Sequence, residues 1–319
     1  MKKYILLFLL VFHFGGAAEK DTLFQTNWVK KYYNVFEDED CDACGCSASG
    51  GSMGFASMLN SNFVGIRYFK QRYRSRNALY SDAPWGDENY NTTQIWARIP
   101  IVNSVQISFL IPYHSHNRII EDGFQEISGL GDITVIAMYE IYRTKKDSAI
   151  FSHSLQIGAG LKAPTGAFTT LNNTGSVNKS FQLGTGSWDF QFLSEYIIRR
   201  KKIGLNTMLN YVWKSENNLF YRYGNQVNYA ATMFYLFDKN KVSFAPQFGI
   251  AGEIYASNFH HKQIEKLTKG EVLFGRIGLE VGRKNWSLGV NGMLPISQNL
   301  ASKNIEAAYR WSINLNYIL

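Results

Sequence analysis

Long apolar runs are missing from this sequence. Among 319 residues the one sustained stretch is Tyr4–Phe14. That is shorter than the roughly 20 residues a helix needs to cross a bilayer. Mean hydropathy is −0.20, and together these values exclude a helical transporter. Proline is scarce, with 6 residues, and cysteine scarcer, with 3, all between positions 41 and 46. Apolar material in general is not lacking. Hydrophobic residues make up 45% and aromatics 15% of the chain, which excludes a disordered polypeptide. Tyr (19), Phe (22) and Gly (27) are plentiful, a profile suited to many strands joined by tight turns.

The first residues have the three parts of an export signal. Lys2 and Lys3 form a positive start, Tyr4–Phe14 an apolar centre, and Gly16-Ala17-Ala18 a small-residue cleavage site. Residues 1–18 are therefore expected to be removed, which lowers the formal net charge of +8 by two. No cysteine follows closely enough to carry a lipid anchor. The division that follows is a signal at 1–18, a periplasmic leader at 19–61 and a barrel at 62–319.

From about residue 62 the chain alternates with period two, in segments of roughly 10 to 14 residues. In Ala308–Leu319, Tyr309, Trp311, Ile313, Leu315, Tyr317 and Leu319 share one face, and Arg310, Ser312, Asn314 and Asn316 share the other. Asn285–Pro295 and Ile203–Trp213 repeat the pattern. Strands of a soluble sandwich run about 5–6 residues. These run about twice that, the length a tilted strand needs to span a membrane. Aromatics such as Tyr309, Tyr317, Tyr211 and Trp213 sit at the ends of the apolar faces, as in the girdles of outer-membrane barrels.

Twelve such strands are predicted, near 62–72, 92–102, 104–113, 131–143, 149–162, 181–198, 203–214, 223–236, 242–256, 271–283, 285–295 and 307–319. Connections after even-numbered strands are short and those after odd-numbered ones mostly long. That matches short periplasmic turns and longer outer loops. The expected fold is all-β: a transmembrane antiparallel up-and-down barrel of about 12 strands, in the outer membrane, with a short N-terminal periplasmic segment. The pI near 9.2 does not indicate nucleic acid. Its basic residues are scattered over predicted short turns, such as Arg199–Lys202 and Arg283/Lys284, and the export signal removes the chain from that partner.

Three motifs carry a resemblance. They are Gly129-Leu130-Gly131-Asp132-Ile133, then Gly158-Ala159-Gly160-Leu161-Lys162-Ala163-Pro164-Thr165-Gly166, and the closing strand. Together they resemble the outer-membrane channels grouped as the "meta-pathway of phenol degradation" family, over roughly residues 60–319. The resemblance implies a barrel that passes small or apolar compounds, with no catalytic residues. One departure is the terminal Leu319, where assembly signals of such barrels usually end in an aromatic.

Cys41, Cys44 and Cys46 follow the acidic run Glu37–Asp40. Three thiolates so close together suit a soft metal such as Cu(I) or Zn(II), and Gly45 permits the tight fold that would need. The alternative is a disulfide, most plausibly Cys41 with Cys44 or Cys46, formed in an oxidising compartment. Phe24, Trp28, Tyr32 and Phe36 form an aromatic stripe at helical spacing, suited to packing on the barrel rim or plugging its lumen.

If the apolar faces meet lipid, the opposite faces line the channel. Arg67, Arg98, Arg276 and Arg310 would form a basic wall, opposed by Glu140, Asp189, Glu195 and Glu253. Such walls create a transverse field that orients polar solutes; the rival arrangement is a salt-bridge lattice that fills the lumen. Pro246 cannot donate to a ladder and marks a bulge or local gap. His114 and His116, and His260 and His261, fall in predicted outer loops. In Ser152-His153-Ser154 the histidine faces away from both serines, so the arrangement of a lipid hydrolase is not met. Two functions follow: passive passage of small solutes, or a metal-binding or structural envelope protein with a closed barrel and an active Cys leader. The expected partners are outer-membrane lipid, a small solute and the barrel assembly machinery.

Overall fold

The computed structural model describes residues 57–59, 62–76, 84–102, 104–120, 123–144, 150–171, 177, 179 and 181–319. The export signal, the aromatic stripe and Cys41, Cys44 and Cys46 lie outside the described residues. The strands are β1 Phe63–Ser75, β2 Gly86–Val102, β3 Val105–Ile120, β4 Gly123–Leu130, β5 Ile133–Arg143, β6 Ser152–Ala163, β7 Asp189–Arg200, β8 Ile203–Lys214, β9 Tyr221–Arg222 and β10 Gln226–Tyr235. They continue with β11 Phe237–Lys239, β12 Val242–Tyr255, β13 Phe259–His260, β14 Gln263–Ile264, β15 Gly270–Arg283, β16 Trp286–Leu300 and β17 Ile305–Ile318.

Hydrogen-bonded neighbours run β10-β8-β7-β6-β5-β3-β2-β1-β17-β16-β15-β12, and β12 returns to β10. The result is a closed antiparallel barrel of twelve walls, with first and last strands joined from Phe63↔Ile318 to Ser75↔Ile305. Closure leaves no ladder edge, which hydrocarbon demands because no water is present to satisfy one. Beyond the barrel, β9, β13 and β14 form a separate three-stranded sheet in the long connections.

Burial along the strands is the reverse of a soluble protein. On β17, Trp311, Ile313, Leu315 and Tyr317 are exposed, while Arg310, Ser312, Asn314 and Asn316 are buried. Aromatic pairs bridge neighbouring strands on the outer face: Trp286 with Tyr317 at 5.1 Å and Tyr68 with Trp311 at 5.3 Å between ring centroids. Among the described residues no helix is long and apolar enough to cross a membrane; the crossing elements are strands.

The structure departs from the expected boundaries at the long-loop end. The predicted loop 114–130 is a hairpin, because β3 continues to Ile120 and pairs with β4. The period-two pattern continues through it, with His114, His116 and Arg118 inward and Ile119 and Phe124 outward, so His114 and His116 stand in a wall rather than a loop. Likewise β16 runs on to Leu300, and a short 3-10 turn at Ala301–Lys303 leads into β17. Conversely, residues 181–188 are not strand, and 181–187 turn into the barrel interior. Pro246 does mark a local gap. The β10 ladder ends at Phe234↔Gln247 and the β11 ladder begins at Phe237↔Phe244, so the missing N–H falls between them.

A lipid-facing charge near the membrane centre should cost about 2–4 kcal/mol, falling towards zero at the interface. Ile313→Arg is therefore expected to lower unfolding free energy in lipid vesicles by that amount, and Asn285→Arg in the turn by little. Equal losses at both positions would place the membrane elsewhere.

Candidate functional site

The two glycine motifs meet inside the barrel. Strand β3 changes partner along its length, from β5 up to Leu110↔Thr134 to β4 from Tyr113↔Leu130. Pro112 stands at the switch, and its carbonyl accepts the Gly131 N–H at 2.9 Å. A side chain at 131 would not fit, since its Cβ would lie 2.2 Å from His114 Nε2 and 3.0 Å from Pro112 Cγ. This break between β4 and β5 turns Asp132 inward.

Asp132 is buried and heavily engaged. Its Oδ2 accepts from Lys162 Nζ at 2.8 Å and from the Thr185 N–H at 2.9 Å, and its Oδ1 from the Gly166 N–H at 3.0 Å. Lys162 lies opposite Asp189 in the β6–β7 register and binds it at 2.7 Å. Lys162 also donates to Thr185 Oγ1 at 2.6 Å. Thr165 Oγ1 closes the knot, donating to the Gly131 carbonyl at 2.7 Å and accepting the Ile133 N–H at 3.0 Å. A buried carboxylate is tolerable only with this many charged and N–H donors.

The knot holds residues 181–187 inside the barrel. Phe181 and Leu183 join a buried cluster with Tyr90 and Ile127. The Arg118 guanidinium lies 4.9 Å from the Phe181 ring centre. Asn217, from the next long connection, donates to the Thr185 carbonyl at 3.0 Å. Gly184 is required here, since a Cβ would come within 2.4 Å of Asp132 Oδ1.

Of the eight charges expected to line the lumen, seven are buried on inward positions. They do not form two separate walls. Arg310 Nη1 meets Glu253 Oε1 at 2.6 Å, and Arg310 Nη2 meets Oε2 at 2.9 Å, across the two intervening strands β15 and β16. Tyr73 and Tyr255 hydroxyls bond to Arg310 and Glu253 in turn, and the Phe274 ring centre lies 4.3 Å from the guanidinium. Arg98 meets Glu195 at 3.4 Å, and Asn206 donates to the same carboxylate at 2.8 Å. Arg67 Nη2 donates to Gln94 Oε1 at 2.5 Å, and its guanidinium lies 4.7 Å from the Trp96 ring centre. Arg276 Nη2 donates to Asn291 Oδ1 at 3.0 Å. Asp189 belongs to the Lys162 knot. Glu140 sits near the short-turn end and is held by Arg143 of its own strand at 2.7–2.8 Å.

Further buried groups escaped the sequence reading. Glu88 receives Ser75 Oγ at 2.7 Å and Tyr90 Oη at 2.6 Å, with Arg118 3.9 Å away. Glu280 receives the Met58 N–H at 2.8 Å and Ser287 Oγ at 2.9 Å, which ties residues 57–59 to β15. Asp132 and Lys162 were within the quoted motifs, and Lys162 lies in an inward register. A lysine in an inward register was the available signal. Nearer the short turns the interior is apolar: Phe63, Trp96, Leu110, Ile136, Met138 and Leu193 cluster. The cleft between this layer and the Arg98–Glu195 pair holds no more than about one water.

Removing Asp132 takes one of two carboxylates from the buried Lys162 ammonium and strands two N–H groups. Asp132→Ala is expected to cost about 3–5 kcal/mol and to release residues 181–187. Limited proteolysis of the detergent-solubilised barrel checks it: a new cut between Phe181 and Trp188 is expected, and an unchanged digestion pattern would show that the knot does not hold this segment.

The COG4313 outer membrane channel from Pseudomonas putida F1 superposes with a TM-score of 0.64 at 14% identity, covering 84% of this chain and 98% of that one. That likeness establishes a shared fold. The β domain of the Bordetella autotransporter BrkA has a TM-score of 0.46 at 10% identity, over 82% of this chain and all of that one, too distant to bear on the assignment. No curated protein sequence matches the chain. The profile of the family described as "Putative MetA-pathway of phenol degradation" matches residues 84–294, the greater part of the chain. The match takes in both glycine motifs and the knot they form, and the chain belongs to this family of outer-membrane β-barrels.

Proposed function

We propose that this barrel is an outer-membrane channel through which small solutes pass passively. The observation that carries the reading is the inverted burial: a closed barrel with an apolar exterior and an interior rich in charged and amide side chains. A barrel needing only stability would fill its interior with apolar residues, because buried ion pairs rarely stabilise more than their hydrophobic replacements. Arg67, Arg98, Arg276, Arg310, Asp189, Glu195 and Glu253 would then line the path, with Glu140 at its rim. The pairs Arg98–Glu195 and Arg310–Glu253 act as crossbars that divide the lumen and set its local field. Polar solutes pass by exchanging contacts with these groups, and segment 181–187 narrows the long-loop end.

No catalysis is part of this reading. His153 Nδ1 meets the Tyr196 hydroxyl at 2.8 Å, not Ser152 or Ser154. The partners are membrane lipid and a small solute, with the barrel assembly machinery inserting the chain and residues 19–61 forming a periplasmic leader.

A second reading is favoured by the apolar layer around Trp96 and Leu193, which packs across the short-turn end. In it the barrel stays closed, and the leader works through Cys41, Cys44 and Cys46, holding Cu(I) or Zn(II) or a disulfide. Planar-bilayer recording separates the two. Discrete conductance steps are expected, with altered ion selectivity in Arg98→Gln and Arg310→Gln. A silent wild-type protein, whose metal binding is lost when all three cysteines become serine, would establish the closed-barrel reading.

A further inference from the structure

We propose that Arg276 is the centre of an anion-binding site on the lumen wall, one that takes the carboxylate of a small organic solute with an apolar body. The inference deepens the channel reading and rests on solute reaching the lumen. Arg276 projects inward from β15 and is only 8% exposed. Its guanidinium has one hydrogen bond, to the neutral amide oxygen of Asn291, and its Nε has none among the described residues. Two other inward arginines have a carboxylate, Arg310 with Glu253 and Arg98 with Glu195, and Arg67 has the Gln94 amide together with the Trp96 ring. The one further inward carboxylate on β15, Glu280, is taken by Ser287 and the Met58 N–H.

Among the described residues, therefore, Arg276 holds a buried positive charge with no negative partner. Repulsion between Arg276 and the positive charge of Arg67 adds to this. Burying a charge without a partner costs several kcal/mol, and a neutral side chain of similar size would avoid the cost. Two guanidinium groups turned to the same interior make a positive potential that an anion would relieve.

The surroundings select the kind of anion. Arg67 is already oriented by Gln94 and stacked on Trp96, whereas the Arg276 guanidinium is held at Nη2 alone, with Nε unbonded among the described residues. One fork matches one carboxylate, two parallel N–H···O bonds to two oxygens. Phe274 precedes Arg276 by two positions on the same face, and Met293 is its partner on β16. Both are apolar side chains, buried in the wall beside the charge. A compact polyanion such as phosphate would find one fork and two apolar neighbours. A monocarboxylate with a short hydrocarbon body finds a match at both ends.

Calorimetric titration of the full-length protein in a non-ionic detergent tests this with three probes: sodium hexanoate, its uncharged isostere hexanamide, and inorganic phosphate. Saturable hexanoate binding is expected, weakened at least about tenfold in Arg276→Gln and less in Arg276→Lys, which keeps the charge but loses the fork. Hexanamide should bind more weakly than hexanoate and be indifferent to the substitution. Should Arg276→Gln fail to fold, the wild-type melting midpoint decides: hexanoate raises it and hexanamide does not. Equal binding of hexanoate by wild type and Arg276→Gln, equal binding of hexanoate and hexanamide, or phosphate competing as well as hexanoate would overturn the proposal. Binding at equilibrium does not require conduction. A silent bilayer with Arg276-dependent binding sinks the channel reading alone, and a conducting barrel without such binding sinks this inference alone.

Discussion

Hydrocarbon on the outside is the constraint from which the remaining features of this barrel descend. Every backbone N–H and C=O of the spanning strands must be satisfied within the sheet, so the ladder from β1 round to β17 has to close. Closure with alternating side chains then sends every second residue inward. The outward set, Ile313, Leu315, Val290 and Leu288 among them, is exposed and apolar because lipid is its solvent. The inward set is where chemical variety is allowed.

That interior has a problem a hydrophobic core does not. Arginines, lysines and carboxylates enclosed in a narrow tube lose most of their water. They are kept by pairing across the tube, as Arg310 is with Glu253, or by dense hydrogen bonding, as Asp132 is with Lys162, Thr185 and Gly166. The second arrangement also has a mechanical result. It fastens residues 181–187 inside the barrel, so one set of buried charges determines the cross-section at the long-loop end. The apolar layer of Trp96, Leu110 and Leu193 does the same at the other end by packing alone. A charge held by neither device, such as Arg276, stands out against this background.

Much of the wall could be read from residue order. Period two over long segments, aromatics at strand ends and alternating short and long connections identified twelve walls, and the structure has twelve. The inward assignment of Arg67, Arg98, Arg276 and Arg310 follows from the same parity. Misplacements cluster at the long-loop end, where segments rich in Gly, Ser, His and Asn resemble turns. Strands β3 and β4 run on there as a hairpin, because each residue's ladder bonds come from a partner strand and not from its own preference. Residues 181–188 alternate like a strand, yet Gly184 and Gly186 let the backbone fold against Asp132 instead.

Residue order alone determined which side of each wall faces lipid, because that depends on local alternation and the strand length a membrane requires. It also determined that a ring of charges must lie within. Which charges touch was decided only by the closed barrel. Arg98 and Glu195 are 97 positions apart, and Arg310 and Glu253 are 57 apart, on strands brought together by closure, tilt and stagger. Local pattern carries no information about that stagger. It emerges when all twelve strands settle on one register, and only then does a given carboxylate come within reach of a given guanidinium.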